Sequence, residues 1–477
     1  MILASNSKHW LEEISELNLS QKALISSESE TDFIDIFKGA RSLSAHLNNT
    51  GIKENSNVGV IFSHSKEFWI CINALWFLNA VPVLISTRSS KEEIIEQIKK
   101  AEIKFLLIDH ELHSKFPALN SVCTIISIDK INYLESKLLS GQLVFSKTNN
   151  AVILFTSGSS GKPKAVVHTF ESLYASASSI DSEFELSSSD IWLASLPLYH
   201  IGGFMILVRA LLSGSAVYFP KSLSEQEIAY AMKNSRSTHV SVVSTMLKRF
   251  ININLRPDKS LRYLFLGGGS SSDELCSMAI KSGWPVVKVY GSSETCSMVT
   301  ASKIEQDKIS SSGKALKDNL IMIENDEILV KSRSLFKEYF NDETATKEKL
   351  KDGIYYTGDN GWIDENGFLY IKARRTDLII SGGENISVSE IESALLSNPI
   401  VKDAFAFGIP HEHWGYIICA AVVSSDKNAD SLKSFLRQKI AGFKIPKQIY
   451  FVDEIPRNEM GKIKREELLK TLNLSEL

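Results

Sequence analysis

Along most of the chain, short apolar runs rich in β-branched residues alternate with stretches whose apolar positions recur every three or four residues. Val58 to Phe62, Val81 to Ile85, Phe105 to Asp109 and Val122 to Ile128 read as buried strands, while Phe33 to Leu47 and Lys91 to Ile98 carry helical spacing. The alternation resumes with Ala151 to Phe155, Ile191 to Leu196, Ala216 to Phe219, Val240 to Val243, Tyr263 to Leu266 and Val286 to Tyr290. Strands separated by helices predict α/β layers with mostly parallel sheets. Around Ile321 to Val330 and Trp362 to Ile371 the texture changes to short, turn-bounded strands, which predicts a smaller β-rich subdomain. Beyond the charged stretch Lys372 to Asp377, a tail of about a hundred residues has the size of a small domain. Its pattern predicts helices over Ser389 to Leu396 and Asp430 to Ile440, and strands over Ala404 to Ile409 and Ile417 to Val423. The boundary falls near Thr376, giving an N-terminal domain of residues 1–375 and a C-terminal domain of residues 376–477.

Composition narrows the classes of function. With 477 residues, 44% hydrophobic and 23% charged, the chain has ordinary globular usage, so disorder and fibrous repeats are excluded. Lys plus Arg is 53 and Asp plus Glu is 56, a net charge of −3. Such a chain has no global attraction for nucleic acid or an anionic membrane, and any anion it binds must meet local groups. The longest apolar stretch, Cys71 to Ile85, is interrupted by Asn73, Asn79 and Pro82 and is too short to span a bilayer. Met1 to Ser5, followed by Asn6 and Lys8, lacks the order of a secretion signal. Cys71, Cys123, Cys276, Cys296 and Cys419 are scattered and form no CxxC pair, which argues for a reducing cytoplasm and against a disulfide framework or a zinc site.

The candidate chemistry starts after the strand at Ala151 to Phe155. Thr156-Ser-Gly-Ser-Ser-Gly-Lys-Pro-Lys164 places small and hydroxylated residues and two lysines at a strand end, where backbone amides can point at an anion. It is not a Walker loop: Gly158 and Gly161 are three apart, and Pro163 stands where Ser or Thr should follow the lysine. Gly267-Gly268-Gly269 ends a strand and suits either a tight turn or a flat group approaching the backbone. Val286 to Glu294 ends in an aromatic, a glycine, hydroxyls and a carboxylate, so Tyr290 can stack a base and Glu294 can hold magnesium. Tyr355-Tyr-Thr-Gly-Asp359 offers a carboxylate to a vicinal diol, and Lys462 follows a glycine near the C-terminus.

In this order, Thr156 to Lys164, Tyr290 to Glu294, Tyr356 to Asp359, Arg374 to Asp377, Ser381 to Asn385 and Arg457 to Lys462 resemble the adenylate-forming superfamily of acyl- and aryl-CoA ligases, peptide-synthetase adenylation domains and beetle luciferases. The resemblance spans nearly the whole chain. It implies an α/β fold: a large N-terminal domain of two α/β sheet halves plus a small β-barrel-like subdomain, then a small, mobile α+β C-terminal domain. Thr156, Ser157, Ser160, Gly161 and Lys164 match the family's phosphate loop. Gly267, Gly268, Gly269 and Ser270 match the adenine-contacting turn, Tyr290 and Gly291 the aromatic segment beside the base, and Ser293 the phosphate hydroxyl. Glu294 matches the magnesium-linked glutamate, Asp359 and Arg374 the ribose pair, and Lys462 the catalytic lysine bridging substrate carboxylate and α-phosphate. The hinge position falls at Thr376, where many relatives carry Asp or Lys.

The implied reaction has two halves. A carboxylate attacks the α-phosphorus of ATP, expelling pyrophosphate and giving an acyl-adenylate; a thiol, that of coenzyme A, then attacks the carbonyl and releases AMP. The first attack joins two anions, so positive charge from Lys462, magnesium at Glu294 and the loop amides is required. The family then rotates its C-terminal domain, bringing Ser381 to Asn385 to the thiol, with Gly382 and Gly383 giving the pantetheine arm close passage. Intact Lys164, Glu294, Asp359 and Lys462 speak against a catalytically dead binding protein.

Leu196-Pro-Leu-Tyr-His-Ile-Gly-Gly203 matches the acyl-pocket turn, with His200 either at the gate beside the carboxylate or a satisfied core histidine. Phe204 to Leu212 is apolar all round and predicts a buried helix, yet Arg209 interrupts it. A buried guanidinium needs an anion, either a protein carboxylate or a second carboxylate on the substrate. A basic residue nine positions after this histidine resembles the o-succinylbenzoate–CoA ligases of menaquinone biosynthesis. Nine residues on an ideal helix turn through about 180°, so His200 and Arg209 share a pocket only if the helix begins after Gly202-Gly203. The resemblance sets the acid against Ser241, Val242 and Ser244, beside Gly268, Gly291 and Ser297. The alternatives are a fatty-acid or other aryl-acid CoA ligase, and a stand-alone adenylation enzyme serving a carrier protein.

Overall fold

The computed structural model describes residues 8–17, 21–63, 65–115, 117–128, 145–156, 163–269, 271, 273–304, 306–373, 378–456, 463 and 465–474. The chain divides into two compact units. The first comprises Met1–Thr87, Ile98–Phe155 and Ala165–Arg374; the second comprises Arg88–Gln97, Thr156–Lys164 and Arg375–Leu477.

The first unit holds two large sheets. In the nine-stranded one, Val286–Ser292, Tyr263–Gly267, His239–Val243, Ile191–Leu193, Ala216–Tyr218 and Lys22–Ile25 run parallel in that order. Antiparallel strands flank them on both sides: Ser297–Lys303 beside Val286–Ser292 with Lys314–Ala315 outside it at that edge, and Glu30–Asp32 beside Lys22–Ile25 at the other. The seven-stranded sheet orders Glu338–Tyr339, Lys164–Thr169, Asn150–Thr156, Val81–Leu84, Asn57–Ile61, Phe105–Ile108 and Thr124–Ser127. A five-stranded antiparallel sheet of Asn319–Glu324, Glu327–Ser332, Leu350–Lys351, Ile354–Ile363 and Leu369–Ala373 forms the smaller β subdomain. Asp364 makes its last hairpin turn by accepting from the amides of Asn366 and Phe368. The α/β fold with a large N-terminal and a small C-terminal part is therefore as the sequence implies.

Strand alternation sorts the nine-stranded sheet into two cores. Leu193, Val240, Val242, Leu264 and Leu266 pack with Leu247, Phe250, Ala279 and Trp284 on one face. Trp192, Phe265 and Val287 pack on the other with the helix Ile201–Ser213. That helix is apolar on every side and buried nearly throughout, as its sequence predicts.

In the second unit, Leu378–Ser381, Glu384–Ser387, Val401–His411, Gly415–Ser424 and Gln448–Phe451 form a five-stranded sheet. The helices Val388–Leu396 and Ala429–Lys439 cover it, with Ile391, Leu395, Leu432 and Leu436 in the core. All five cysteines are free. No helix among the described residues is long and apolar enough to cross a membrane.

Candidate active site

Three parallel strands, His239–Val243, Tyr263–Gly267 and Val286–Ser292, end side by side, and open α/β sheets bind ligands beyond such carboxyl ends. Gly267 is needed here because a Cβ would lie 2.6 Å from Val289 Cγ2, and Gly268 follows at φ +74°. At Gly291 a Cβ would fall 1.7 Å from the Ser297 carbonyl oxygen. The chain bulges between Tyr290 and Gly291 and returns through Cys296 and Ser297, both at positive φ. The fold of this turn therefore requires Gly291 whatever it binds.

Tyr290 is buried, and its hydroxyl donates to Asp359 Oδ2 at 2.8 Å. Asp359 lies on Ile354–Ile363 just after Gly358, whose amide is held by Glu327 Oε1 at 2.7 Å. Tyr290 and Asp359, expected at the base and the ribose, are thus one hydrogen-bonded pair, a link across 69 residues of sequence that spacing does not reveal.

Glu294 sits in the turn after Val286–Ser292 and is only 8% exposed. Its Oε1 accepts from the Tyr339 hydroxyl at 2.8 Å, and its carbonyl accepts from the Phe336 amide at 2.7 Å. Thr295 Oγ1 accepts from the Ser292 amide at 2.7 Å, and the Ser293 carbonyl meets His168 Nε2 at 2.7 Å. Burial pushes the His168 pKa down to about 4, so the ring is neutral at physiological pH. Glu294 forms no ion pair among the described residues, and no group of three or more metal-ligating side chains occurs among them. One partly desolvated carboxylate without a cation fits magnesium, which takes one or two carboxylates plus substrate phosphates rather than an all-protein cage.

Arg209 is fully buried. Its Nη2 donates to Ser297 Oγ at 3.2 Å, while Nε and Nη1 make no hydrogen bond. The guanidinium carbon lies 5.8 Å from the centre of the Trp192 ring. Burial lowers its pKa to about 10, opposed by the nearby Cys296 thiol, so the charge persists at neutral pH. The protein-carboxylate alternative fails among the described residues: Arg209 has no carboxylate partner, and the buried Asp190 is engaged by Arg262 at 2.8 Å. Ser241 lies on the same sheet face as Trp192 and Phe265, and its buried Oγ is also without a partner.

Two acid-side expectations change. Val242 packs in the opposite core, because strand alternation turns it away from Ser241, and it leaves the candidate set. The helix begins at Ile201 with His200 as N-cap, so Gly202 and Gly203 lie inside its first turn rather than before it. A Cβ on Gly203 would meet the Pro197 carbonyl oxygen at 2.1 Å, which is why the turn holds a glycine there. His200 is extended, at φ −97° and ψ 147°, so the ideal-helix angle does not govern its direction. Ser244 opens the helix Ser244–Asn252.

Thr156 ends the strand Asn150–Thr156, and Lys164 begins Lys164–Thr169, in keeping with Pro163 barring a helix. Gly382 and Gly383, at φ +59° and +88°, form the two-residue turn joining Leu378–Ser381 to Glu384–Ser387. A Cβ on Gly382 would lie 2.8 Å from Trp414 Cε3. Ser157, Ser160, Gly161, Ser270, Arg374, Thr376 and Lys462 lie outside the described residues. Sequence reasoning missed His168, Trp192 and Tyr339.

Residues 12–340 match the AMP-binding enzyme family, and residues 390–462 match the AMP-binding enzyme C-terminal domain. A 2-succinylbenzoate–CoA ligase of Geobacillus sp. (strain WCH70) is 33% identical, covering 96% of each chain. A double mutant of Bacillus subtilis o-succinylbenzoate CoA synthetase, bound with its product analogue OSB-NCoA, superposes with a TM-score of 0.92 at 30% identity, covering 98% of this chain and 99% of that one. The same enzyme in complex with ATP and magnesium ion gives a TM-score of 0.74 at 30% identity, covering 96% and 98%. With both of its domain types matched and a relative a third identical along almost its whole length, the chain belongs to the AMP-binding enzymes.

Proposed function

We propose that this protein is an ATP-dependent, AMP-forming acid–CoA ligase whose acid is o-succinylbenzoate. The observation that carries the choice of acid is the fully buried Arg209, whose Nε and Nη1 are without partners. Leaving an uncompensated charge in such a site costs about 3–5 kcal/mol, and a substrate with a second carboxylate removes that penalty on binding. A monocarboxylic fatty acid would lay apolar chain against the open guanidinium. The succinylbenzoate relatives support the same reading.

In the first half-reaction the substrate's other carboxylate attacks the α-phosphorus of ATP and pyrophosphate leaves. Lys462 neutralises the two approaching anions, and Thr156, Ser157, Ser160, Gly161 and Lys164 hold the phosphates. Tyr290 flanks the base at the Gly267 to Ser270 turn, and Asp359 with Arg374 takes the ribose. Glu294 would hold magnesium, which when bound supplies charge at the phosphates. In the second half the thiol of coenzyme A attacks the acyl carbonyl and AMP departs, with Gly382 and Gly383 lining the way of the pantetheine arm. His200 stands at the carboxylate gate, while Ser241, Ser244, Gly268, Gly291 and Ser297 flank the acid. The domain boundary near Thr376 and a cytoplasmic location belong to this reading, the latter supported by five free thiols.

Thermal-shift titration tests it. o-Succinylbenzoate should raise the melting temperature of the wild type and not that of Arg209→Ala; stabilisation by a long-chain fatty acid instead would overturn the assignment.

A further inference from the structure

We propose that Tyr339 and His168 are positioning residues for Glu294, fixing the carboxylate and its turn in the orientation that receives the nucleotide-bound magnesium. The inference rests on the reading of Glu294 as the metal-linked carboxylate.

The two side chains come from paired strands. Glu338–Tyr339 lies antiparallel to Lys164–Thr169, with Tyr339 opposite Val166 and Glu338 opposite Val167. The amides of Lys337 and Phe340 extend that ladder by donating to the carbonyls of Val167 and Ala165, each at 2.8 Å. Tyr339 is itself fixed: its ring is buried, 4.7 Å from that of Phe336, and its amide donates to Thr346 Oγ1 at 2.9 Å. From there its hydroxyl reaches Glu294 Oε1 at 2.8 Å. A phenol donating to a carboxylate is a charge-assisted bond and selects one rotamer. Oε2 accepts no hydrogen bond among the described residues, so it is the oxygen that would meet the metal.

His168 acts one residue earlier. A carbonyl only accepts, so the 2.7 Å contact with the Ser293 oxygen places the hydrogen on His168 Nε2. Nδ1 then lies 3.1 Å from Ser172 Oγ. The Ser293 carbonyl and the Glu294 side chain are thus gripped by neighbouring strands. Partners that orient a ligand typically change metal affinity by about 10–100-fold when removed.

The test is calorimetric binding of a non-hydrolysable ATP analogue over a magnesium titration, with AMP binding as the metal-free reference, on full-length Tyr339→Phe, His168→Leu, His168→Gln and Glu294→Gln. Tyr339→Phe should raise the magnesium requirement for analogue binding roughly ten-fold and leave AMP affinity unchanged. His168→Leu should shift it in the same direction, and His168→Gln, which keeps an N–H donor, should restore it. Thiolysis of preformed acyl-adenylate should be unaffected in the Tyr339 and His168 variants. If Tyr339→Phe weakens analogue and AMP equally, or leaves the magnesium requirement unmoved while Glu294→Gln shifts it, the positioning role is wrong. If Glu294→Gln itself leaves the requirement unmoved, the metal reading of Glu294 fails instead. Should one position not tolerate substitution, the other decides by the same criterion.

Discussion

The residues proposed to meet the nucleotide and those proposed to meet the acid are built on opposite rules. On the nucleotide side three polar groups are held by neighbours: Tyr290 holds Asp359, Tyr339 holds Glu294 through Oε1, and His168 holds the Ser293 carbonyl. On the acid side the buried groups are left open, with Arg209 Nε and Nη1 and the Ser241 hydroxyl lacking partners. A paired site is preorganised and loses little on binding. An open buried charge is destabilising until its counter-ion arrives, so it discriminates by what the wrong ligand fails to supply.

The largest effect is expected at Lys462. Lys462→Ala should slow adenylation about 10³-fold, the scale on which removing a preorganised charge acts. Conversion of preformed acyl-adenylate to thioester should survive, as rapid-quench assays of each half-reaction would show. Equal loss in both would break the division of labour that places Lys462 in the first half only.

Next in size, Arg209→Met should lower kcat/KM for o-succinylbenzoate roughly 10²–10³-fold, or about 3–4 kcal/mol, within the range for a buried charge that loses its partner. The same substitution should stabilise the free protein by about 1–2 kcal/mol, because an apolar side chain replaces an unpaired buried cation. Denaturant unfolding without ligand reads this directly. A destabilised Arg209→Met would mean the guanidinium is satisfied in the free enzyme, and the contrast between the two regions would vanish.

The smallest effect belongs to the paired side. Tyr290→Phe removes one hydroxyl from Asp359 and should raise the KM for ATP about five-fold, near the 1 kcal/mol of a typical hydrogen bond. Combined with Asp359→Asn, the losses should be less than additive. Full additivity would show that the hydroxyl and the carboxylate act separately.

Much of this was legible beforehand, for identifiable reasons. Buried parallel strands announce themselves as apolar runs, so Tyr263–Gly267 and Val286–Ser292 were found within a residue or two. Arg209 stood out because one charge interrupts an all-apolar helix. The resemblance sets Val242 beside Ser241 at the acid, whereas a period of two sends its side chain to the other face. The helix starts at Ile201, three residues before the apolar run Phe204 to Leu212 that predicts it, and Gly203 leaves room for the Pro197 carbonyl against its first turn. Tyr339 and Asp359 carry no local sign of their partners, which lie 45 and 69 residues away and meet only through the sheets.

The central claim is that Arg209 waits for a second carboxylate. The most direct measurement compares kcat/KM for o-succinylbenzoate with that for 3-benzoylpropionate, which keeps one carboxylate and lacks the other, in wild type and Arg209→Met. The account predicts a preference of at least about 10² in the wild type that collapses to near unity in the variant. A preference that survives the substitution, or is absent from the wild type, would contradict it.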